Sequence, residues 1–104
     1  MELDDLDELA GRAVGFFGPR NQTMKVMEEL GELTAEIARF HTRPTALTPY
    51  APEQAHAALL SEAADVFIMI RQMRHMLGPD KFDQAVALKA LRLKARIEGL
   101  QVVK

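Results

Sequence analysis

Carboxylate side chains recur at helical spacing in two separate stretches of the chain. At about 100° per residue, Glu62 falls about 40° from the centre of an apolar row, so we expect it to be buried or nearly so. A carboxylate taken out of water without a partner costs several kcal/mol, which a bound cation would offset. The acidic residues of the two stretches are Glu28, Glu29, Glu32 and Glu36, followed by Glu62 and Asp65.

Pairs of acids three residues apart on two facing helices predict a cluster of hard oxygen ligands, which suits Mg²⁺ or, as a substitute, Mn²⁺. The predicted metal ligands are Glu29 and Glu32 on one helix and Glu62 and Asp65 on the next. Glu28 points further outward and is predicted to be an outer ligand or a ligand of an additional metal. The chain has no Cys, and no His is placed among the acids, so the cluster contains no obvious side chain that could form a covalent intermediate. We therefore expect a water molecule, and not a side chain, to attack the substrate. Glu32, with Glu28 one turn away, is the candidate general base.

Basic side chains follow the last helix. Lys89, Arg92 and Arg96 form a stripe beside its apolar row, and Gln22 and Lys25 lie on the same edge as the acids of the second helix. A polyphosphate joined to the carboxylates through divalent metal ions would place its remaining oxygens near Lys and Arg. We therefore predict substrate contacts from Gln22, Lys25, Lys89 and Arg92. Salt bridges to neighbouring helices are an equally open role for the basic stripe.

Apolar periodicity and two Gly-Pro pairs divide the chain into four helices with almost no strand signal. Asn21 or Thr23 is the expected N-cap of the second helix. Three prolines between residues 42 and 52 predict a loop, and residues 99–104 are expected to fray. The fold class is all-α, a four-helix up-and-down bundle-like subunit assembled with a symmetry mate, in a single domain over residues 1–104. The expected helices are about Leu3 to Phe16, Asn21 to His41, Glu53 to Leu77, and Pro79 or Asp80 to Glu98 or Gly99.

Composition narrows the function classes. The chain has 104 residues, 48% of them hydrophobic, and a formal charge of −2, which fits one globular domain with no general attraction for nucleic acid polymers. No stretch reaches the roughly 20 apolar residues of a membrane span, and an acidic N-terminus leads us to expect a cytoplasmic protein. The first helix has apolar side chains that must be buried against another surface, namely Leu6, Leu9 and Val14. This predicts a homodimer or homotetramer.

Three segments together resemble the MazG-like members of the all-α nucleoside triphosphate pyrophosphohydrolase superfamily. They are EExxE at Glu28 to Glu32, ExxD at Glu62 to Asp65, and the basic helix with Lys89 and Arg92. The resemblance covers roughly residues 22–96. It implies an α-helical dimer or tetramer that hydrolyses a (d)NTP to (d)NMP and pyrophosphate. It further implies that the acids bind Mg²⁺ and that a metal-activated water attacks phosphorus.

Several alternatives stay open at this point. A phosphoribosyl-ATP pyrophosphohydrolase is less favoured because Phe67, Ile68 and Met69 follow EAAD where that group tends to carry an aromatic-His pair. Glu53 and His56 match a di-iron ligand motif, but it occurs only once. A non-catalytic helical interaction module explains the helices but not an inward Glu62. For base stacking, the candidate residues are Phe16, Phe17 and Tyr50.

Overall fold

The computed structural model describes residues 1–40 and 53–103, and these residues form four α-helices without a strand. The predicted all-α class with four helices is therefore confirmed. The predicted loop over residues 42–52 lies outside the described residues. The helices are α1 (Leu3–Phe17), α2 (Pro19–Phe40), α3 (Glu53–Leu77) and α4 (Pro79–Val103).

One Gly-Pro pair separates α1 from α2, and a second pair separates α3 from α4. Gly18 and Gly78 have φ values of 91° and 101°, which glycine adopts without the Cβ clash that other residues suffer. The proline that follows each glycine is the first residue of the next helix, where its missing N–H costs no hydrogen bond. The expectation that Asn21 or Thr23 caps α2 is wrong, because α2 already begins at Pro19.

Both of these polar side chains instead donate back to the preceding turn. The Asn21 side-chain amide donates to the Phe17 carbonyl at 2.9 Å, and the Thr23 hydroxyl donates to the Pro19 carbonyl at 2.8 Å. Such local bonds satisfy backbone acceptors at the α1–α2 junction.

The core lies where α3 packs against α2 and α1. The α2–α3 contact is the most extensive, and the α1–α3 contact is second. Val14 is buried in this core, so one of the α1 positions expected to need a partner subunit is covered within the chain. The buried apolar side chains are Ala10, Val14, Val26, Leu59 and Met69.

Ion pairs connect α3 to α1 and to α4. Arg71 donates to the Asp7 carboxylate of α1 at 2.7 Å, and Arg74 lies 3.6 Å from the same carboxylate. Arg74 also donates twice to the Asp83 carboxylate of α4, at 2.8 Å in each bond. A bidentate Arg–carboxylate pair fixes both distance and orientation, so it holds the start of α4 against α3.

Helix α4 differs from the other three. Phe82 is partly buried, but every residue from position 83 to position 99 is exposed. The apolar row of this helix includes Val86, Leu93 and Ile97, and these positions are open in the single chain, with 47–56% of each residue exposed. The helix also continues to Val103, past its expected end near Gly99, so the tail expected to fray is helical to that point. None of the described helices is long and apolar enough to cross a membrane.

Candidate metal centre

Three carboxylates from two helices converge beside the α2–α3 core. Glu29 and Glu32 come from α2 and Glu62 from α3, and one carboxylate oxygen of each lies within 4.8 Å of those of the other two. The separation of three residues places Glu29 and Glu32 on one edge of α2. Because α2 and α3 make the most extensive contact in the fold, the edges that carry these acids are held next to each other.

Glu29 is buried and Glu62 is partly buried, which distinguishes this cluster from a fully solvated acidic surface, whereas Glu32 is exposed. Glu29 is only 7% exposed, and its Oε2 atom is buried without a hydrogen-bond partner. The Oε2 atom of Glu62 is buried in the same unpartnered state, although Glu62 as a residue is half-buried. Buried carboxylate oxygens without donors leave lone pairs free for a cation. The residues present therefore fit a hard divalent ion with oxygen ligands.

Glu32 is the member of the cluster whose ionisation its acidic neighbours oppose. The neighbouring Glu29 carboxylate, followed by burial and by the charges of Glu62 and Glu28, raises the pKa of Glu32 above its usual value. A divalent cation at the cluster would remove this repulsion, since it neutralises the charges that oppose ionisation of Glu32.

Lys25 supplies the positive charge nearest to the cluster. Its ammonium lies 3.3 Å from Glu29 Oε1 and 3.6 Å from Glu28 Oε2. The bond to Glu29 is the main cause that raises the pKa of Lys25, so this side chain stays protonated. The structure thus places Lys25, predicted to contact substrate, on the acids of its own helix.

The other predicted acids lie around the three converging carboxylates. Asp65 is exposed and does not belong to the set within 4.8 Å, and Glu28 is exposed and paired with Lys25. Glu36, one turn beyond Glu32, has a buried and unpartnered Oε2 atom and lies 3.6 Å from Arg39. The acidic edge of α2 therefore extends past the cluster itself.

Gln22 lies in a contact between helices. Its side-chain amide donates to Gln72 Oε1 at 2.6 Å, and the two residues are 8% and 5% exposed. Gln72 was not a sequence-based candidate, although it lies two turns after Asp65 on the same edge of α3. The sequence feature that could have identified Gln72 is its polar side chain at the same helical phase as Asp65. The pair joins α2 to α3 along the edge that carries the carboxylates.

The structure does not join the predicted basic residues to the acids. Lys89, Arg92 and Arg96 are exposed, and among the described residues no ion pair links them to a carboxylate. Phe16 and Phe17 are also exposed, with their rings edge to face at 4.9 Å between centroids. Tyr50 and the side chain of His56 lie outside the part of the chain that the structure describes.

Comparison of the chain with models of protein families, with curated proteins and with solved structures gave no match. Function is therefore inferred from the residues of the site and from the sequence pattern that places them.

Proposed function

We propose that the protein is a Mg²⁺-dependent nucleoside triphosphate pyrophosphohydrolase that converts a (d)NTP to (d)NMP and pyrophosphate. The observation that carries the proposal is the convergence of Glu29, Glu32 and Glu62, with buried oxygens of Glu29 and Glu62 lacking donors. The substrate class comes from the resemblance of the EExxE and ExxD segments to MazG-like enzymes. Solvation alone does not account for a half-buried acid on α3 that faces two acids of α2.

The three carboxylates would hold the cation, with Asp65 and Glu28 as outer or additional ligands. When bound, Mg²⁺ lowers the pKa of a coordinated water and neutralises charge on the phosphate oxygens. Glu32 is the candidate base because it is the solvent-exposed member of the cluster, with Glu28 one turn away. The oxygen of water forms a bond to the α-phosphorus while Glu32 takes a proton from that water. The bond from the α-phosphorus to the bridging oxygen breaks, and pyrophosphate leaves with the bonding electron pair.

Positive side chains would hold the phosphates. Lys89 and Arg92 are free of carboxylate partners among the described residues, so their donors are available to phosphate oxygens. Lys25 stands beside two of the acids and would shift from carboxylate to phosphate when a cation takes its place. Gln22 donates one N–H to Gln72, and its second N–H and its carbonyl oxygen are the groups that would contact substrate.

A product-resolved assay tests the proposal. Purified protein is incubated with Mg²⁺ or Mn²⁺ and a panel of (d)NTPs, and pyrophosphate is separated from orthophosphate. We expect pyrophosphate and (d)NMP, loss of activity with a chelator, and loss of more than about 100-fold in Glu62→Gln. Glu98→Gln is the matched control, because Glu98 is an exposed α4 residue paired only with Lys94 among the described residues.

Two outcomes would contradict the proposal. Orthophosphate as the first product would mean a different bond is cleaved. Absence of any hydrolysis across the panel, with the cation bound, would favour the non-catalytic interaction module. Hydrolysis in ¹⁸O-water separately tests the direct attack of water, since the label should enter one product only and no phosphoryl-enzyme should accumulate.

A further inference from the structure

Lys25 has the position of a counter-ion beside the carboxylates of the candidate metal centre. Its ammonium lies 3.3 Å from Glu29 Oε1 and 3.6 Å from Glu28 Oε2. In the part of the chain that the structure describes, no other basic side chain forms an ion pair with Glu28, Glu29, Glu32 or Glu62. Without a cation, this one ammonium therefore offsets part of the repulsion among the acids.

The two partners of the Lys25–Glu29 pair differ in exposure. The side chain of Glu29 is 9% exposed, whereas that of Lys25 is 48% exposed. The carboxylate is thus held in the contact between α2 and α3, while the lysine reaches it from the surface on a flexible four-carbon chain. Ion pairs of half-exposed lysines are weak because water competes for the ammonium. Lys25 can therefore leave Glu29 when another group binds its ammonium more strongly.

Lys25 and a divalent cation compete for the same carboxylate. Glu29 Oε1 faces the ammonium, and Glu29 Oε2 is buried without a hydrogen-bond partner. Because both oxygens belong to one carboxylate, an ammonium at the first and a cation at the second would repel each other at short range. The Lys25–Glu29 pair should therefore weaken cation binding, and a bound cation should weaken the pair.

Phosphate oxygens offer Lys25 a second partner. A polyphosphate that coordinates the same cation brings its oxygens close to the acids, and Lys25 already lies beside them. The ammonium forms charge-assisted hydrogen bonds with phosphate, and once it does so it no longer opposes the cation at Glu29. Since the coupling between two ligands is reciprocal, the cation and the polyphosphate should each strengthen the binding of the other.

We propose that Lys25 couples cation binding to polyphosphate binding. In the empty site it pairs with Glu29 and opposes the cation, and in the loaded site it contacts phosphate. This inference rests on the proposed function, because it takes a polyphosphate as the reacting part of the substrate, and it adds a form of regulation of the same site. The site then binds a cation and a polyphosphate together more tightly than their separate affinities predict.

Lys25→Met tests the proposal, because methionine removes the ammonium and keeps an unbranched side chain. Titration calorimetry measures two dissociation constants, that of Mn²⁺ for the protein alone and that of inorganic pyrophosphate for the protein saturated with Mn²⁺. The variant should bind Mn²⁺ about two- to fivefold more tightly, since a competing charge is gone. It should bind pyrophosphate at least about tenfold more weakly, since a charge-assisted contact is lost.

The opposite signs of the two changes distinguish coupling from a general structural effect. Lys94→Met is the matched control, because Lys94 lies 3.8 Å from Glu98 at the same spacing of four residues and far along α4. It should change each constant less than about twofold. Unchanged constants in Lys25→Met, changes of the same direction, or equal changes in Lys94→Met would overturn the proposal.

Both measurements use binding alone, so they separate this proposal from the proposed activity. Hydrolysis of a (d)NTP together with unchanged constants in Lys25→Met would contradict the coupling and leave the activity standing. Opposite changes of the two constants without any hydrolysis would support the coupling and contradict the enzymatic assignment. Absence of Mn²⁺ binding to the wild type would overturn both.

Discussion

The α2–α3 pair and α4 use the same kind of apolar periodicity with different results. In the pair, Val26, Leu59 and Met69 are buried, and the polar edge beside them brings Glu29, Glu32 and Glu62 together. In α4, the corresponding apolar positions stay open and the basic edge has no acidic partner among the described residues. Helical periodicity therefore identifies the apolar face of a helix. It does not identify the helix, of the same chain or of another, that packs against that face.

The largest expected effect separates the packed pair from α4. Leu59→Ala should lower the free energy of unfolding by about 2–5 kcal/mol, because it leaves a cavity between packed helices. Leu60→Ala, at a neighbouring position that is 58% exposed, should cost less than about 1 kcal/mol. Urea denaturation measures both. Leu91→Ala, at a position that is 63% exposed, should behave like Leu60→Ala. A cost at Leu91 equal to that at Leu59 would show that α4 is packed within its own chain.

The next effect concerns the buried amide pair that joins α2 to α3. Gln72→Leu should cost about 1–3 kcal/mol, because it leaves the Gln22 amide buried without its acceptor. The double variant Gln22→Leu/Gln72→Leu should recover most of this loss, since neither unpaired amide remains. A double-mutant cycle by urea denaturation measures the coupling. Additive losses would mean that the two side chains act independently.

A smaller effect is expected from the pH dependence of the cation-free protein. The folded-state pKa of Glu32 is raised, so its favourable contribution is complete below its unfolded pKa and is lost as pH rises through the folded value. With a chelator present, Glu32→Gln should therefore be more stable than the wild type at neutral pH but not at about pH 4. Thermal unfolding at both pH values measures this difference. Equal stability at neutral pH would argue that the three acids do not repel one another.

The smallest effect is expected at the joint between α3 and α4, with the opposite pH sign. Arg74 donates to Asp83 and lowers its pKa, so this pair stabilises the fold above the unfolded pKa of Asp83 and the contribution is lost as pH falls through the folded value. Asp83→Asn should slightly lower the midpoint of thermal unfolding at neutral pH. The difference should shrink as pH falls below the unfolded pKa of Asp83, about 3.9. A difference that persists there would assign the effect to packing.

Much of the fold could be predicted because Gly-Pro pairs act locally. Gly18 and Gly78 end helices through their own φ angles, which depend little on distant contacts. The caps at Asn21 and Thr23 were mispredicted because the proline at position 19 already starts α2. Helical phase indicated that Glu29, Glu32 and Glu62 line neighbouring edges. It could not show that Asp65 stays outside the converging set or that Gln22 bonds to Gln72, because these outcomes depend on the register between helices.

The binding of a divalent cation by the three carboxylates is the central claim, and calorimetric titration with Mn²⁺ in the absence of nucleotide tests it most directly. Wild-type protein should bind the ion, because the buried Glu29 and Glu62 oxygens that lack donors are available as ligands. Glu62→Gln should weaken binding more than about 100-fold, since it removes a direct ligand, while Glu98→Gln should bind like the wild type. Unchanged binding in Glu62→Gln, or equal weakening in Glu98→Gln, would contradict the claim.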